Sequence, residues 1–165
     1  MKHRKRSTDV VRLVALVLGS AAILGAATPL RAAEQHHTVV PGDAVAWGPA
    51  PPSLPPGAQA AALLGSPAKE GPFVLRLKFP AGFTVPPHRH SKDEFVTVIS
   101  GRFAVAAGEK LERTAKPLPA GSFVHLPAGM PHYAWADGET VVQINGIGPF
   151  DVKYVDPKDD PRTKE

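Results

Sequence analysis

Proline and glycine interrupt this chain at short intervals, and this punctuation limits what it can fold into. The sequence holds 15 glycines and 19 prolines among its 165 residues. Proline fixes its φ angle and has no amide hydrogen, and glycine weakens a helix interior, so long helices are disfavoured. Beyond the first thirty residues, short strands joined by tight turns fit this composition best.

From residue 73 onward, apolar and polar positions alternate as half-buried strands require. In 73–79 the odd positions are apolar, and both charged residues fall on even positions. The later runs are separated by turn residues such as Asp137-Gly138 and Gly148-Pro149. The predicted fold class is therefore all-β, an antiparallel sandwich or barrel, with further strands at 94–100, 102–106, 122–126, 132–136, 140–145 and 150–155.

Residues 1–33 are organised like a secretory signal peptide. A basic cluster at 1–6 precedes an apolar run over 13–27 and a small-residue cleavage zone near Ala32 or Ala33. This run is shorter than the ~20 residues that a membrane-spanning helix needs, although an uncleaved membrane anchor remains the alternative. We therefore expect export, to a bacterial periplasm, and no stable membrane insertion after cleavage.

The net charge of +4 is concentrated in this leader. Its first 32 residues contain six of the 19 basic and one of the 15 acidic residues, so the rest carries 13 against 14, a net charge of −1. No basic stretch remains that could follow a phosphate backbone, which argues against nucleic-acid binding. The absence of cysteine excludes disulfides, thiolate metal sites and cysteine nucleophiles.

Residues 34–72 are rich in proline, glycine and alanine and show no sustained hydrophobic period. Because proline cannot donate to a sheet ladder, we expect an extended arm lying over the domain and no interior strand, with Trp47 and Leu54 as anchors. Within the arm, 58–64 is compatible with one helical turn or an edge strand. At the other end, the acid-rich residues 156–165 are expected to form a polar, solvated tail.

Three histidines and one glutamate are the residues most suited to chemistry. His88 and His90 are two positions apart, so in an extended segment they point to the same face. A short turn would let Glu94 open the next strand towards the same interior. Two imidazoles and a carboxylate arranged in this way make one face of an octahedron, leaving positions for a remote histidine such as His132 and for water or substrate.

The spacing around these residues resembles the first motif of the cupin superfamily. In that motif Gly82, His88, His90, Glu94 and Gly101 stand at the defining positions. The resemblance covers about half of the chain, and it implies a single antiparallel β-barrel of the jelly-roll type over residues 73–155.

A second stretch resembles the second cupin motif, through Gly121, Pro127, Gly129 and His132. It departs from the motif at its end, where Ala136 replaces the usual asparagine, a position that is not a metal ligand in the family. The resemblance implies that one divalent transition-metal ion (Fe, Mn, Ni, Co, Cu or Zn) is bound by His88, His90, Glu94 and His132.

The Asp137-Gly138 pair predicts a two-residue hairpin loop, which would place Gln143 opposite His132 and therefore in the same cavity. Gln143 is thus the leading polar residue of the cavity beyond the ligands. Val96 and Val98 share the parity of Glu94 and are expected to face inward. Tyr133 and Trp135 have the opposite parity to His132, which predicts packing on the outer face or against a second subunit.

These features favour a secreted, metal-dependent enzyme that oxidises a small organic substrate in a dioxygenase-type reaction. Glu94 is predicted to act as a base and Gln143 to orient the bound molecule. The alternatives are a non-catalytic periplasmic module that binds a metal or a small molecule, and an interaction protein with a vestigial site. A homodimer is compatible with the resemblance, because barrels of this family commonly pair through edge strands.

Overall fold

The computed structural model describes residues 37–163. The predicted signal peptide, residues 1–33, lies outside the described residues. Residues 37–163 form short 3-10 turns at Gly42–Ala44, Pro157–Asp159 and Pro161–Thr163, and they form strands β1 Gly48–Pro49, β2 Gln59–Leu64, β3 Gly71–Phe79, β4 Thr84–Arg89, β5 Glu94–Ser100, β6 Arg102–Ala107, β7 Leu118–Pro119, β8 Phe123–Leu126, β9 His132–Ala136, β10 Thr140–Gly148 and β11 Lys153–Tyr154.

The strands make two antiparallel sheets. One has the order β1-β2-β3-β10-β5-β8, and the other has the order β11-β4-β9-β6-β7. Neighbours along the chain often lie in different sheets, because β3, β5 and β10 belong to the first sheet and β4, β6 and β9 to the second. This confirms the prediction of an all-β, antiparallel barrel of the jelly-roll type. No helix within 37–163 has the length and apolar character needed to span a bilayer.

The inner faces of the two sheets carry the core. Along β3 the odd positions, from Phe73 to Phe79, are buried and the even positions are more exposed, as the sequence alternation predicted. Val96 and Val98 of β5 are also buried. Phe79 stacks between two other aromatic rings, with centroid distances of 4.8 Å to Phe83 and 5.8 Å to Phe103. Aromatic packing of this kind adds to the free energy gained by burying the rings.

The prediction that 34–72 contains no interior strand is wrong, whereas a strand at 58–64 was one of the two expected alternatives. Strand β2 pairs with β3 on one side and, through Gln59 and Ala60, with the two-residue β1 on the other. Five of the eight prolines of 34–72 lie at 49–56, and β2 itself contains none, so its amides are free to pair. Of the predicted strand 150–155, only Lys153–Tyr154 is paired. The predicted solvated tail begins with two 3-10 turns, where Arg162 Nη2 donates to the carbonyl of Val152 at 2.8 Å.

The predicted hairpin between β9 and β10 is also wrong. Strand β9 pairs with β4 and β6, whereas β10 pairs with β3 and β5 in the other sheet. The Asp137-Gly138 turn therefore carries the chain from one sheet to the other. A tight-turn dipeptide fixes the backbone reversal but not which strand accepts the hydrogen bonds, so a crossing satisfies it as well as a hairpin does.

The outer face of the second sheet is covered by the chain itself. Tyr133 and Trp135 point away from the histidine face, as predicted, and are almost fully buried. The segment between β6 and β7 lies over them: Ala115 packs against the pair, and Tyr133 Oη donates to the carbonyl of Glu112 at 2.8 Å. A second subunit is not needed to bury these two rings.

We predict that alanine at two turn glycines will affect stability very differently. Gly101 and Gly138 both have positive φ angles, of 76° and 89°. A Cβ on Gly101 would collide with the carbonyl oxygen of Glu139, whereas a Cβ on Gly138 would meet nothing within 4 Å. We expect Gly138→Ala to lower the free energy of unfolding by ~1 kcal/mol and Gly101→Ala by ~3 kcal/mol or more. Urea unfolding of the two variants measures both values, and equal losses would contradict this account.

Candidate metal centre

Three buried histidines converge from two neighbouring strands. His88 on β4 is the register partner of His132 on β9, and His90 follows directly after β4. One nitrogen from each ring lies within 4.8 Å of the other two. His88 and His90 are each 5% exposed, and His132 is 2% exposed. The structure thus brings together the three histidines that the sequence analysis placed in one site.

In each of the three rings, Nδ1 is hydrogen-bonded to a backbone carbonyl. His88 Nδ1 lies 2.7 Å from the oxygen of Pro86, His132 Nδ1 lies 3.0 Å from that of Met130, and His90 Nδ1 lies 2.5 Å from that of Asp151. A carbonyl can only accept, so Nδ1 carries the proton and Nε2 keeps a free lone pair. The Nε2 atoms of His90 and His132 are buried without a hydrogen-bond partner. Buried polar atoms are rarely left in this state unless a further ligand satisfies them.

Glu94, the first residue of β5, completes the polar corner. Its Oε2 lies 3.4 Å from His90 Nε2 and 3.4 Å from His132 Nε2, longer than a charge-assisted hydrogen bond. Burial alone would raise the pKa of Glu94, but the close approach of the His132 and His90 imidazoles outweighs burial and lowers the pKa to about 2. Glu94 is therefore a carboxylate at neutral pH.

The histidines differ in their electrostatics. Burial, with the neighbouring imidazoles His132 and His90, lowers the pKa of His88 to about 3, so its ring is neutral. Burial acts to lower the pKa of His90 as well, but the nearby Glu94 carboxylate and the carbonyl of Asp151 outweigh burial and raise this pKa above its usual value, so a metal ion would compete with a proton for this ring. Three Nε2 lone pairs beside one carboxylate oxygen are a donor set that suits divalent transition metals. The three histidines could therefore hold such an ion.

A segment distant in sequence fixes the orientation of His90. The carbonyl of Asp151 accepts from His90 Nδ1, and its side chain accepts from the amide and the hydroxyl of Ser91, both at 2.7 Å. Lys153 Nζ joins this group at 2.9 Å from Asp151 Oδ2. Despite partial burial, these hydrogen bonds hold the pKa of Asp151 well below its usual value. We call Ser91, Asp151 and Lys153 the Asp151 clamp.

The polar corner opens into an apolar cavity of about 240 Å³. Its walls come from both sheets, and Phe150 stacks on His90 with 4.3 Å between ring centroids. The only other side chain with a polar group along the cavity is Ser53, among the residues that the structure describes. The walls are otherwise apolar, formed by Pro51, Leu54, Pro67, Ala68, Leu75, Leu77, Phe79, Val85, Val96, Phe103, Val105, Leu126, Ala134, Val142, Ile144, Phe150 and Val152.

Three chain segments meet at the rim of this cavity, where the lining residues are not fully buried. They contribute Pro51, Ser53 and Leu54, then Pro67 and Ala68, and finally Phe150 and Val152. The first and last segments are joined by a hydrogen bond of 2.8 Å from Tyr154 Oη to the carbonyl of Ser53. Leu54, predicted as an anchor of the proline-rich segment, thus packs at the cavity.

Gln143 lies outside this site. It is the register partner of Arg76 and Thr97 on the outer face of its sheet, and Arg76 Nε donates to its Oε1 at 3.2 Å. The prediction that Gln143 faces His132 and lines the cavity is wrong, because the pairing on which it depended does not exist. The neighbouring residues of the same strand, Val142 and Ile144, line the cavity instead.

Sequence reasoning did not find the Asp151 clamp or Phe150. Phe150, Asp151 and Lys153 lie in the short stretch 150–155 that was predicted to be a regular strand, where no motif distinguishes them. Their contact with His90 spans about sixty residues of chain. It therefore depends on tertiary packing that no local pattern reports.

Comparisons with known proteins agree with this architecture. The family model described as "Cupin domain" matches residues 75–147, a span that includes all four side chains of the polar corner. A comparison of the sequence with curated proteins finds no match.

Solved structures share the fold at low sequence identity. The chain is similar to the polyketide cyclase RemF of Streptomyces resistomycificus, with a TM-score of 0.60 and 15% identity over 79% of this chain and 90% of that one. It is similar to a putative acetylacetone dioxygenase of Methylibium petroleiphilum, with a TM-score of 0.60 and 20% identity over 79% and 88%. A third similar structure is an RmlC-like cupin of Shewanella frigidimarina, with a TM-score of 0.53 and 16% identity over 68% and 91%. These likenesses show the fold alone, and the match to the family model identifies residues 75–147 as a cupin domain.

Proposed function

We propose that this protein is a metal-dependent enzyme that oxidises a small organic substrate with dioxygen. His88, His90, Glu94 and His132 would hold one divalent transition-metal ion. The observation that carries the proposal is the set of three buried imidazoles, each with its Nδ1 hydrogen-bonded to a carbonyl and its Nε2 left for an ion. Hydrogen bonds of this kind are typical of metal-ligating histidines.

An ion bound there would act as a Lewis acid and offer open positions for substrate and oxygen. The donor set of three imidazoles and a carboxylate suits Fe, Mn, Ni, Co, Cu or Zn alike. The chain's own contribution is to fix the ligand side chains and to keep the cavity apolar. Water is poorly held by such walls, which protects reactive species from hydrolysis.

The surroundings of the corner favour oxidation over isomerisation. Isomerases need a positioned donor and a positioned acceptor for the proton, and Glu94 is the only acid or base beside the histidines among the described residues that line the cavity. In our proposal Glu94 takes a proton from the substrate and passes it on to water, which leaves the carboxylate ionised. In a dioxygenase-type reaction both oxygen atoms enter the product and the substrate supplies the electrons, so no separate reductant is required.

The second candidate is a non-catalytic module that binds a metal or a small molecule. The observation that favours it is the same apolar wall, because a cavity with a single polar corner can retain a ligand without transforming it. The structural likeness to the polyketide cyclase and to the acetylacetone dioxygenase supports a common fold only, because the sequence identity is low. Neither reaction is therefore assigned to this chain by likeness. Consumption of oxygen separates the two candidates.

We predict that the protein binds one divalent ion per chain and that His132→Ala weakens metal binding by ~100-fold or more. The reason is that loss of a residue that only supports a ligand already lowers metal affinity by ~10–100-fold. Elemental analysis and chelator competition measure stoichiometry and affinity. His125→Ala is the matched control, because His125 faces outward and contacts Asp93 instead of the cavity. Failure of the wild-type protein to take up any of the six metals would refute the proposal.

We predict that Glu94→Gln abolishes oxygen consumption and weakens metal binding by ~10-fold or more, because it removes the only negative charge of the corner. Oxygen uptake is followed with a panel of phenols and diketones on metal-loaded protein. Gln143→Ala is the control, and it should leave both quantities unchanged because Gln143 lies outside the cavity. Undiminished turnover in Glu94→Gln would show that this residue is not the base.

We predict that Asp151→Ala weakens metal binding by ~10-fold, because it releases Ser91 and loosens the carbonyl that orients His90. Asp151→Asn should have a smaller effect, since its amide oxygen can still accept from the Ser91 amide. Chelator competition measures the affinities, and Asp137→Ala, an exposed acid that pairs with Arg102, serves as control. Equal affinities in all three variants would contradict a positioning role for the clamp.

A further inference from the structure

The size of the cavity limits what it can hold. An engineered protein cavity of about 150 Å³ binds one benzene molecule. By proportion, the cavity of about 240 Å³ found here accommodates about ten non-hydrogen atoms. A single substituted ring or a short branched chain fits this volume, whereas a molecule with three linked rings does not.

The polarity of the walls limits where a ligand can place its polar atoms. No lysine or arginine lines the cavity along the part of the chain that the structure describes, and Ser53 at the rim offers the only hydroxyl. A polar atom away from the metal corner would therefore be buried without a partner, which disfavours binding. A favoured ligand has its polar atoms at one end and an apolar body.

The charge of the corner limits the ionisation state of the ligand. The three imidazoles coordinate as neutral groups because each keeps its Nδ1 proton on a carbonyl. A divalent ion with the single negative charge of Glu94 then leaves a net charge of +1 in an apolar surrounding. A ligand that contributes one negative charge neutralises the corner, whereas a dianion would leave an unpaired buried charge, which is costly.

From these three limits we propose that the cavity takes a compact weak acid, a phenol or an enolisable ketone of about ten non-hydrogen atoms, bound through one ionised oxygen. Such a molecule is neutral in water, so it crosses the apolar rim without losing a charged hydration shell. It ionises only at the corner: Glu94 takes the proton from its oxygen and passes it on to water, so that the carboxylate is ionised again and the ligand oxygen meets the net positive charge. This inference rests on the proposed function, because it takes the metal ion as bound.

The experiment uses cobalt-loaded protein, whose visible spectrum changes when an oxygen ligand joins the ion. Metal content is measured first on the same sample. The probes are para-propylphenol, propylbenzene, para-propylphenyl phosphate and a flavonol. We expect para-propylphenol to shift the spectrum and to bind at least about tenfold more tightly than propylbenzene in calorimetry, since only the phenol brings an oxygen to the corner.

The two other probes test charge and size. The phosphate ester keeps the same apolar body but brings two negative charges, and the flavonol has nearly twice as many non-hydrogen atoms. We expect neither to shift the spectrum. The inference would be overturned if either probe bound as tightly as para-propylphenol, or if para-propylphenol bound no more tightly than propylbenzene. The proposed metal site would stand in both cases. Protein that takes up no cobalt would overturn the proposed function and this inference together.

A variant that fills the cavity gives an independent test of the size limit. Ala134 lies on β9 two residues after His132, faces inward and is buried. We expect Ala134→Leu to retain its cobalt and to bind para-propylphenol at least about tenfold more weakly, because three added carbons occupy the space of the propyl group. Ala120→Leu, at an exposed turn, is the control. If metal-loaded Ala134→Leu binds para-propylphenol as tightly as the wild type, the placement of the propyl group beside Ala134 is overturned. If that variant does not fold, the series of probes on the wild-type protein decides alone.

Discussion

The pairing of β4 with β9 is the interaction on which the rest of the site depends. It sets His88 directly beside His132, although 44 positions separate them along the chain. The ladder shifts its register between Val85 and His88, where Pro86 and Pro87 have no amide hydrogens to donate. The shift frees the carbonyl of Pro86 to accept from His88 Nδ1. Prolines usually weaken a strand, but here the carbonyl of Pro86 orients the ring of His88.

Much of the fold could be predicted because its signals are local. Alternation along β3 and β5 fixed which side chains face the core, and turn residues marked where strands end. The histidine spacing located the corner, since His88 and His90 lie on one face of an extended segment wherever that segment is placed. The convergence of His132 required the family resemblance, because no periodicity relates it to the other two.

The errors share one physical origin, which is the choice of strand partner. Gln143 was assigned to the cavity because a tight turn was taken to join neighbours in one sheet, whereas the turn crosses between sheets. Likewise β2 was not expected inside a sheet, because the prolines before it dominated the composition of its segment. Partner choice is decided by which apolar faces can be buried together, and that depends on the whole chain. The Asp151 clamp was missed for the same reason.

The rim of the cavity has a consequence for how such a protein can diversify. Pro51, Ser53 and Leu54 precede the span that matches the cupin family, and Phe150 and Val152 follow it. Most of the rim therefore comes from segments that lie outside the strands carrying the histidines. Substitutions, insertions or exchanges around 51–54 can reshape the entrance while the ladder between β4 and β9 keeps the imidazoles in place. The segment that contains Phe150 and Val152 is different, because Phe150 and Asp151 both contact His90, and a change there alters the entrance and the corner together.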